Sequence, residues 1–343
     1  MCGDCKVTVI MSNYNQEKYV SCAIESVLNQ KVDFAFQLLI TDDFSTKDKS
    51  VEIIKRYEAK FPEKIKVLYN QENGGYLKNV LRAKAITKTP YFCLLDADDC
   101  WTDMNYLQSA VDFLDSHLDY VIYSRNVVCQ AEDGSVHLFV PQNISSSDFT
   151  LDDYFKHSIC MTQTTGTFFR NVIFINGVPN IMEKAVGTIS ERSFEGDFDR
   201  YLMHLKYGKA HYDPKPSGIY RLLTSGIWSR LTEFEKNIIQ AQCYLDYNAY
   251  FEDKYDAFFF DEAYKNLSLC VMALNELNQD FALSDHIKEM FFNVASSCHK
   301  NRELISAVDK ARAKGKNIKL KYKILLFIYN KMRKRLLKKG LVK

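Results

Sequence analysis

The stretch Tyr91-Phe92-Cys93-Leu94-Leu95-Asp96-Ala97-Asp98-Asp99 places three carboxylates directly after five apolar residues. The apolar run is typical of a buried β-strand, so the acidic residues would leave the end of that strand into one small volume. Like charges this close destabilise one another unless a cation lies between them. Mn²⁺ and Mg²⁺ favour one or two carboxylates together with substrate phosphate oxygens, so a divalent metal site is one interpretation. An acidic turn that caps the helix starting near Met104 is the other.

Strands of this kind alternate with helical patterns through the first 125 residues. Strands are predicted at 7–11, 36–41, 65–69, 91–95 and 120–124, and helices at 19–30, 47–60, 76–86 and 104–114. This βαβ repetition predicts an α/β fold with a mainly parallel, doubly wound, Rossmann-like sheet flanked by helices.

The pattern changes in the second half of the chain. Residues 130–230 are irregular, whereas from Thr232 onward the pattern is almost wholly helical, with no Gly or Pro between Ile227 and Gly315. We therefore predict two domains, at residues 1–230 and 231–343, the second being a helical C-terminal region. Such a region could supply an interface for an oligomer.

Polar clusters follow four of the predicted strands, at residues 12–15, 41–45, 70–75 and 96–99. Ligands of doubly wound sheets bind outside the carboxyl ends of the strands, so we expect these clusters to face one crevice. Asp42 and Asp43 form a second acidic pair there, although each could instead cap the helix that follows. Five carboxylates along one sheet edge favour a metal and a nucleotide diphosphate as ligands. Tyr14 could stack on the base of that nucleotide, or pack into the core.

Charge is distributed unevenly along the 343 residues. Residues 310–343 hold 14 Lys and Arg and no Asp or Glu, so residues 1–309 carry a net charge of −12 within an overall charge of +2. A nucleic-acid-binding protein usually spreads positive charge over its folded face, so nucleic acid is not an expected partner.

Within this basic tail, residues 319–343 have apolar residues at i+4 spacing among the cations. That spacing is typical of a helix lying on an anionic membrane surface, and equally of a terminal helix packed on the domain. No apolar run approaches the ~20 residues that a transmembrane helix needs. We therefore expect a cytoplasmic protein, with peripheral contact to the inner face of the membrane as one interpretation of the tail.

Four motifs in order resemble those of the family 2 glycosyltransferases, which have the nucleotide-sugar-binding GT-A fold. They are Val9–Asn15, Ile40–Thr46, Asn73–Asn79 and Leu95–Asp99. One such match is weak, but four in the expected order are specific. The resemblance covers roughly residues 5–230 and implies a metal-dependent enzyme that transfers a sugar from a nucleotide diphosphate donor with inversion.

The resemblance assigns donor-binding roles to residues at the predicted crevice. Ser12 and Tyr14 would contact the nucleobase and ribose, and Asp43, with Asp42 beside it, would hold the base. Lys78 would lie near the phosphates.

The same resemblance assigns roles to the acidic stretch. Asp98 would ligate the metal, Mn²⁺ or Mg²⁺, with Asp96 close enough to share it while reaching the ribose or sugar. Asp99 would contact the donor sugar or support the turn. Arg221 would approach the pyrophosphate, or else form a structural salt bridge.

Glu195–Leu202 resembles the acidic motif in which an Asp that opens a helix acts as general base. The register places Asp197 in that role, and Glu195 and Asp199 are its competitors. A single base and no nucleophile correspond to one displacement, which inverts the anomeric centre.

The resemblance further implies a UDP-sugar as donor, carrying a hexosyl or N-acetylhexosaminyl group. A glycan or lipid-linked glycan would be the acceptor, in synthesis of a cell-surface polysaccharide. Two alternatives remain open: a nucleotide-sugar-binding protein without transferase activity, and a nucleotidyltransferase. The second usually has a Gly-rich, basic loop after its first strand, where this chain has Ser12–Glu17.

Overall fold

The computed structural model describes residues 5–224, 226–274 and 285–300. Its strands are β1 (Val7–Asn13), β2 (Phe36–Asp42), β3 (Ile65–Tyr69), β4 (Tyr91–Leu94), β5 (Cys100–Trp101), β6 (Tyr120–Arg125), β7 (Val128–Ala131), β8 (Val136–Leu138), β9 (Ser147–Phe149), β10 (Thr167–Arg170), β11 (Lys209–Asp213) and β12 (Gly218–Leu222). Its helices are α1 (Val20–Leu28), α2 (Ser50–Lys60), α3 (Tyr76–Ile86), α4 (Tyr106–Ser116), α5 (Leu151–Phe155), α6 (Asn180–Ala185), α7 (Asp197–Leu205), α8 (Glu233–Tyr250), α9 (Asp256–Leu274) and α10 (Asp285–Lys300).

A parallel block of four strands in the order β3-β2-β1-β4 forms the first half of an eight-stranded sheet. Every residue of β2 and of β4 is buried, as expected for parallel strands covered on both faces. Helix α1 buries the stripe Val20, Ala23, Ile24 and Val27, which has the i, i+3, i+4, i+7 spacing of an amphipathic helix. The predicted βαβ units of the first 95 residues are therefore confirmed.

The second half of this sheet contains strands of both directions, in the order β10-β6-β11-β9. Strand β10 is antiparallel to both β4 and β6, β11 is parallel to β6, and β9 is antiparallel to β11. Six of the eight strands consequently run in one direction, and the mainly parallel sheet of the prediction is confirmed. The reversed strand β10 was not predicted, because Thr167–Arg170 is only four residues long and lies in an aperiodic region.

A smaller sheet has the strand order β5-β12-β7-β8, and its strand β5 continues the chain after the acidic stretch. The two residues of β5 follow Asp99 directly and pair with Gly218 and Ile219 of β12. A Cβ at Gly218 would lie 2.4 Å from the backbone oxygen of Cys100, so only glycine permits this approach. The pairing brings β12 beside the acidic stretch although more than 100 residues separate them.

The chain divides into two compact units, residues 1–186 with 195–226, and residues 187–194 with 227–343. In the second unit, Asp246 of α8 accepts hydrogen bonds from Ser190 (3.0 Å) and Ser193 (2.5 Å), which attaches segment 187–194 to the helices. The predicted domain division at residue 230 stays a prediction, because residues 301–343, including the basic tail, lie outside the described residues. None of the helices described is both long and apolar enough to cross a membrane.

Candidate active site

The acidic stretch lies at the end of β4, beside the end of β1. The backbone N–H of Leu95 donates to the oxygen of Ile10 (2.9 Å), and that of Ala97 donates to the oxygen of Ser12 (3.1 Å). The stretch then turns back on itself through a bond from the Asp99 N–H to the Asp96 oxygen (3.0 Å). These bonds fix the backbone from which the three carboxylates project.

Asp96 and Asp98 keep most of their hydrogen-bonding capacity free. Asp98 accepts one long bond from the side chain of Gln16 (3.4 Å), and the Asp96 carboxylate accepts none from the residues described. Burial raises the pKa of Asp96 to about 7, the charge of Asp98 adds to this rise, and Arg200 opposes it. Burial also raises the pKa of Asp98. Two half-buried carboxylates without strong donors favour a cation between them.

Asp99 is occupied by the protein itself and is 1% exposed. It accepts hydrogen bonds from the Thr165 hydroxyl (2.5 Å), the Arg221 N–H (2.9 Å) and the Gln163 side chain (3.4 Å). Of the two roles considered for Asp99, these contacts favour support of the turn over contact with a donor sugar.

The second acidic pair lies across β1 from the first. Asn13 of β1 pairs in register with Asp42, so the ends of β2 and β4 flank the end of β1. Strand spacing places the two ends about 10 Å apart. The two acidic clusters therefore share one edge of the sheet, as the spacing of the motifs predicts.

Asp42 and Asp43 both hold loops in place. Asp42 accepts bonds from the Asn13 side chain (2.7 Å) and from the hydroxyl (2.6 Å) and N–H (3.0 Å) of Ser45. Asp43 accepts bonds from the Asn70 side chain (2.7 Å) and from the N–H groups of Gly74 (2.8 Å) and Gly75 (3.0 Å). Asp43 thereby ties the end of β2 to the loop before α3, and its role toward a base stays a prediction.

The remaining predicted donor contacts lie at the same edge. Ser12 is half-buried in β1, and Lys78, in the first turn of α3, forms an exposed ion pair with Glu72 (3.3 Å). The Tyr14 ring is 43% exposed, which argues against the core-packing alternative. Sequence reasoning missed Phe44, which is also 43% exposed and has a left-handed φ of 61° between Asp43 and Ser45. A strained backbone that presents an aromatic ring to solvent is a common feature of binding loops.

Asp197 is the first residue of α7 and its side chain is 33% exposed. Its Oδ1 accepts bonds from the Thr164 hydroxyl (2.6 Å) and from Arg200 (2.8 Å), while Oδ2 accepts none from the described part of the chain. One carboxylate oxygen is therefore held and the other is available to a ligand.

The competitor Asp199 faces the core. It is 1% exposed, and neither of its oxygens makes a hydrogen bond of ordinary geometry within the described residues. Burial raises the pKa of Asp199 to about 6, against the charges of Arg200 and Lys84. At 1% exposure, the Asp199 carboxylate is not open to an acceptor hydroxyl in this structure. Glu195 is half-buried just before the helix, and its backbone oxygen accepts a bond from Arg200 (3.3 Å).

Asp197 and the acidic stretch lie within electrostatic range of each other. The charge of Asp197 contributes to the raised pKa of Asp96, after burial and Asp98. The pKa of Tyr220 is raised by burial and then by Asp197, Asp99, Asp96 and Asp98, so this phenol lies among the carboxylates. Sequence reasoning identified Arg221 but missed the phenol of its neighbour Tyr220 as a site group.

Arg221 braces the acidic stretch from β12. Its Nη1 donates to the backbone oxygen of Asp98 (2.5 Å), and its guanidinium stacks on the ring of Tyr19 (5.0 Å to the centroid). Its Nη2 contacts the sulfurs of Cys100 (3.6 Å) and Cys22 (3.8 Å). Arg221 thus contacts a backbone oxygen, a ring and two thiols, and the pyrophosphate and salt-bridge roles that the sequence offers for it stay predictions.

Comparison with known proteins identifies the larger unit. Residues 8–176 match the sequence profile of "Glycosyl transferase family 2". These residues form a family 2 glycosyltransferase domain. The predicted family is therefore confirmed, and all four polar clusters at the strand ends lie inside the matched segment, whereas Asp197 and Arg221 lie beyond it.

Individual relatives are similar to parts of this chain. The chain is 26% identical over 222 residues to an uncharacterized protein of Mycobacterium tuberculosis, covering 65% of this chain. It is 31% identical over 166 residues, 46% of this chain, to Bacillus subtilis TuaG, a protein named as a glycosyltransferase of teichuronic acid biosynthesis. The matched segment covers 60% of the length of each of these two relatives.

A solved structure matches the fold of the glycosyltransferase domain and beyond. S. aureus TarS 1-349, determined in complex with UDP-GlcNAc, covers 85% of this chain and 80% of its own, with 17% identity and a TM-score of 0.57. At this identity the likeness concerns the fold, and it confirms the predicted GT-A architecture.

The donor set of the glycosyltransferase domain fits a divalent ion that is shared with a substrate. Within residues 5–224, 226–274 and 285–300, no three His, Cys, Asp or Glu side chains form a complete metal site. Asp96 and Asp98 offer two carboxylates with free oxygens. Mg²⁺ and Mn²⁺ commonly take one or two carboxylates and complete their shell with phosphate oxygens and water.

A cavity of about 550 Å³ opens beside the acidic stretch. Its lining includes Gln16, which contacts Asp98, and Tyr19, which stacks on Arg221. The other lining residues are Asn15, Glu17, Lys18, Asp48, Glu132 and Leu223. Its volume is in the range of small-molecule sites.

Proposed function

We propose that this chain is an inverting, metal-dependent glycosyltransferase that transfers a sugar from a UDP-sugar to an acceptor hydroxyl. The observation that carries the proposal is that carboxylates suited to two roles, metal binding and proton acceptance, lie at one edge of the sheet. Asp96 and Asp98 have free oxygens and raised pKa values, and Asp197 presents one free oxygen within their electrostatic range.

The donor would bind along the carboxyl ends of β1, β2 and β4. Tyr14 and Ser12 would contact the base and ribose, Asp43 and Asp42 would shape that subsite, and Lys78 would lie near the phosphates. Asp96 and Asp98 would hold Mn²⁺ or Mg²⁺. A bound divalent ion would offset the charge that develops on the leaving nucleotide diphosphate.

In the transfer step, Asp197 Oδ2 would accept the proton of the acceptor hydroxyl. The acceptor oxygen then bonds to the anomeric carbon while the phosphate oxygen leaves from the opposite face, which inverts the configuration. A positioned general base contributes about 10²–10⁴-fold to such a step. Arg221 would act on this site through the Asp98 backbone and not by direct contact with pyrophosphate.

The donor and the pathway are inferred from relatives. UDP and an N-acetylhexosaminyl group are favoured because S. aureus TarS was determined with UDP-GlcNAc, and a hexosyl group is the other donor group that the family implies. A glycan or lipid-linked glycan acceptor in cell-surface polysaccharide synthesis is favoured by the likeness to TuaG.

The test is a screen for release of nucleoside diphosphate. The purified chain is incubated with UDP-, GDP- and dTDP-sugars, with Mn²⁺, Mg²⁺ or EDTA, and with water as the default acceptor. We expect UDP release from one UDP-sugar that requires a divalent ion, with a product of inverted anomeric configuration by NMR. Binding without release would favour a nucleotide-sugar-binding protein, and formation of UTP and sugar 1-phosphate from a UDP-sugar after addition of pyrophosphate would favour a nucleotidyltransferase; either result overturns the proposal.

A further inference from the structure

Arg200 has a surrounding that is unusual for an arginine in the interior of a helix. It belongs to α7 and is 3% exposed. Its Nη2 donates to the Thr164 hydroxyl (2.6 Å) and to Asp197 Oδ1 (2.8 Å), and its Nη1 donates to the backbone oxygen of Glu195 (3.3 Å). The guanidinium therefore contacts the residues on either side of Gly196, where the helix begins.

Thr164 closes this arrangement into a triangle. Its hydroxyl accepts a hydrogen bond from Arg200 and donates its own proton to Asp197 Oδ1 (2.6 Å). Because a hydroxyl has one proton, acceptance from Arg200 fixes its donation toward Asp197. Both donors act on the same oxygen, so the carboxylate has one orientation and its Oδ2 faces away from the pair.

Burial of this charge suggests a role besides stability. A buried ion pair is weak evidence for stability, because desolvation of the charges offsets much of their attraction. The guanidinium lies near the charges of Asp197 and Asp199, and it also lowers the pKa of Asp96. It is thus within electrostatic range of both Asp197 and Asp96, two of the carboxylates that the proposed reaction uses.

We propose that Arg200 and Thr164 are positioning residues that orient Asp197 so that Oδ2 meets the acceptor hydroxyl. This inference rests on the proposed function, since it concerns the base of that reaction. Neither residue would touch the donor or the acceptor. Their contribution would appear in turnover and not in donor binding, because misplacement of a catalytic group by about 1 Å can cost about 10²-fold in rate.

The test compares Thr164→Val with Thr164→Ser. Valine keeps the shape of threonine but removes the hydroxyl, whereas serine restores the hydroxyl without the methyl group. With the UDP-sugar that the unmodified chain hydrolyses fastest, we expect Thr164→Val to lower kcat about tenfold and to change the donor KM by less than about twofold. Thr164→Ser should recover kcat to within about threefold of the unmodified chain.

Arg200→Met and Arg200→Lys extend the test to the guanidinium. Arg200→Met should lower kcat at least as far as Thr164→Val, and Arg200→Lys should recover only part of it, since an ammonium cannot contact Thr164, Asp197 and Glu195 in one fixed plane. Loss of a buried charge can unfold the chain, so thermal unfolding is recorded for all four variants and the Thr164 pair decides.

Two results would overturn the inference. One is an unchanged kcat in folded Thr164→Val, and the other is an equal loss in Thr164→Val and Thr164→Ser, which would indicate packing. Failure of the proposed function is recognised separately, because the unmodified chain would then release no UDP from any donor.

Discussion

Arg221 Nη1 lies 2.5 Å from the backbone oxygen of Asp98, so a residue of β12 fixes the turn that carries the proposed metal ligands. The contact spans the pairing of β12 with β5 and joins two parts of the chain that are distant in sequence. Under the proposed function, metal binding would therefore depend on Arg221 through the Asp98 backbone.

We predict that Arg221→Leu raises the Mn²⁺ concentration for half-maximal UDP release about tenfold, because the Asp98 turn loses its brace. Turnover at saturating Mn²⁺ should fall less. Arg82→Leu, a change on the exposed face of α3, is the matched control and should behave like the unmodified chain. A metal titration of UDP release measures both, and equal curves for the two variants would refute the bracing role.

The second prediction concerns the loop before α3, which the Asp43 carboxylate holds in place. Asp43→Ala should lower the free energy of unfolding by about 2–4 kcal/mol, because it removes the acceptor of the Gly74 and Gly75 N–H groups and of the Asn70 side chain. Urea denaturation measures the change. Asp133→Ala, in an exposed turn, should stay within about 0.5 kcal/mol. A similar effect of both changes would mean that Asp43 does not organise this loop.

The buried ring of His204 should make the stability of the folded chain depend on pH. Burial, together with the charges of Lys84 and Arg200, lowers the pKa of His204 to about 3, and the hydrogen bond of its ring to the Arg200 backbone oxygen opposes this shift. Between pH ~6.5 and 3, His204 is therefore protonated in the unfolded chain and neutral in the folded chain. Its contribution to the free energy of unfolding is present above pH ~6.5 and is lost as the pH falls toward 3.

We expect His204→Gln to remove about 1 kcal/mol per pH unit from the acid-induced loss of stability between pH 6 and 4. Glutamine keeps an N–H donor for the Arg200 oxygen, which the His204 ring contacts at 2.6 Å, and it cannot titrate. The difference between the two chains isolates His204 from the raised pKa values of Asp199 and Asp96, which act in the opposite direction. Parallel stability curves from urea denaturation would contradict this assignment.

The basic tail predicts binding to anionic membranes. The chain that includes residues 319–343 should float with vesicles that contain phosphatidylglycerol and remain in the soluble fraction with vesicles of phosphatidylcholine alone. Each Lys or Arg near an anionic surface contributes about 1 kcal/mol of binding free energy. A chain that lacks residues 319–343 should not float with either. Equal soluble fractions of the two chains would leave the tail as an ordinary terminal segment.

Sequence patterns predicted the parallel half of the sheet because its strands are continuous apolar runs bounded by polar turns. Strand β10 and the sheet around β12 escaped prediction, since short strands in residues 130–222 carry no periodic signal and their pairing is set by distant contacts such as Gly218 against Cys100. The carboxylates of the site were found for the same reason as the strands, because they directly follow apolar runs.

The residues that support those carboxylates were harder to recognise. Arg200 follows three residues after Asp197, a spacing common on exposed helix faces, and only the fold shows that it is buried. Thr164 has no neighbouring motif, and its contact with Asp197 depends on how the turn before β10 meets α7. Asp199 was a competitor for the base in sequence, and its burial removes it from contact with an acceptor.

The turnover of Asp197→Asn tests the central claim most directly. We predict that Asp197→Asn binds UDP in the presence of Mn²⁺ with nearly unchanged affinity but releases UDP from the sugar donor ~10²-fold or more slowly. Turnover of Asp197→Asn near that of the unmodified chain would contradict the account and move the base to Glu195.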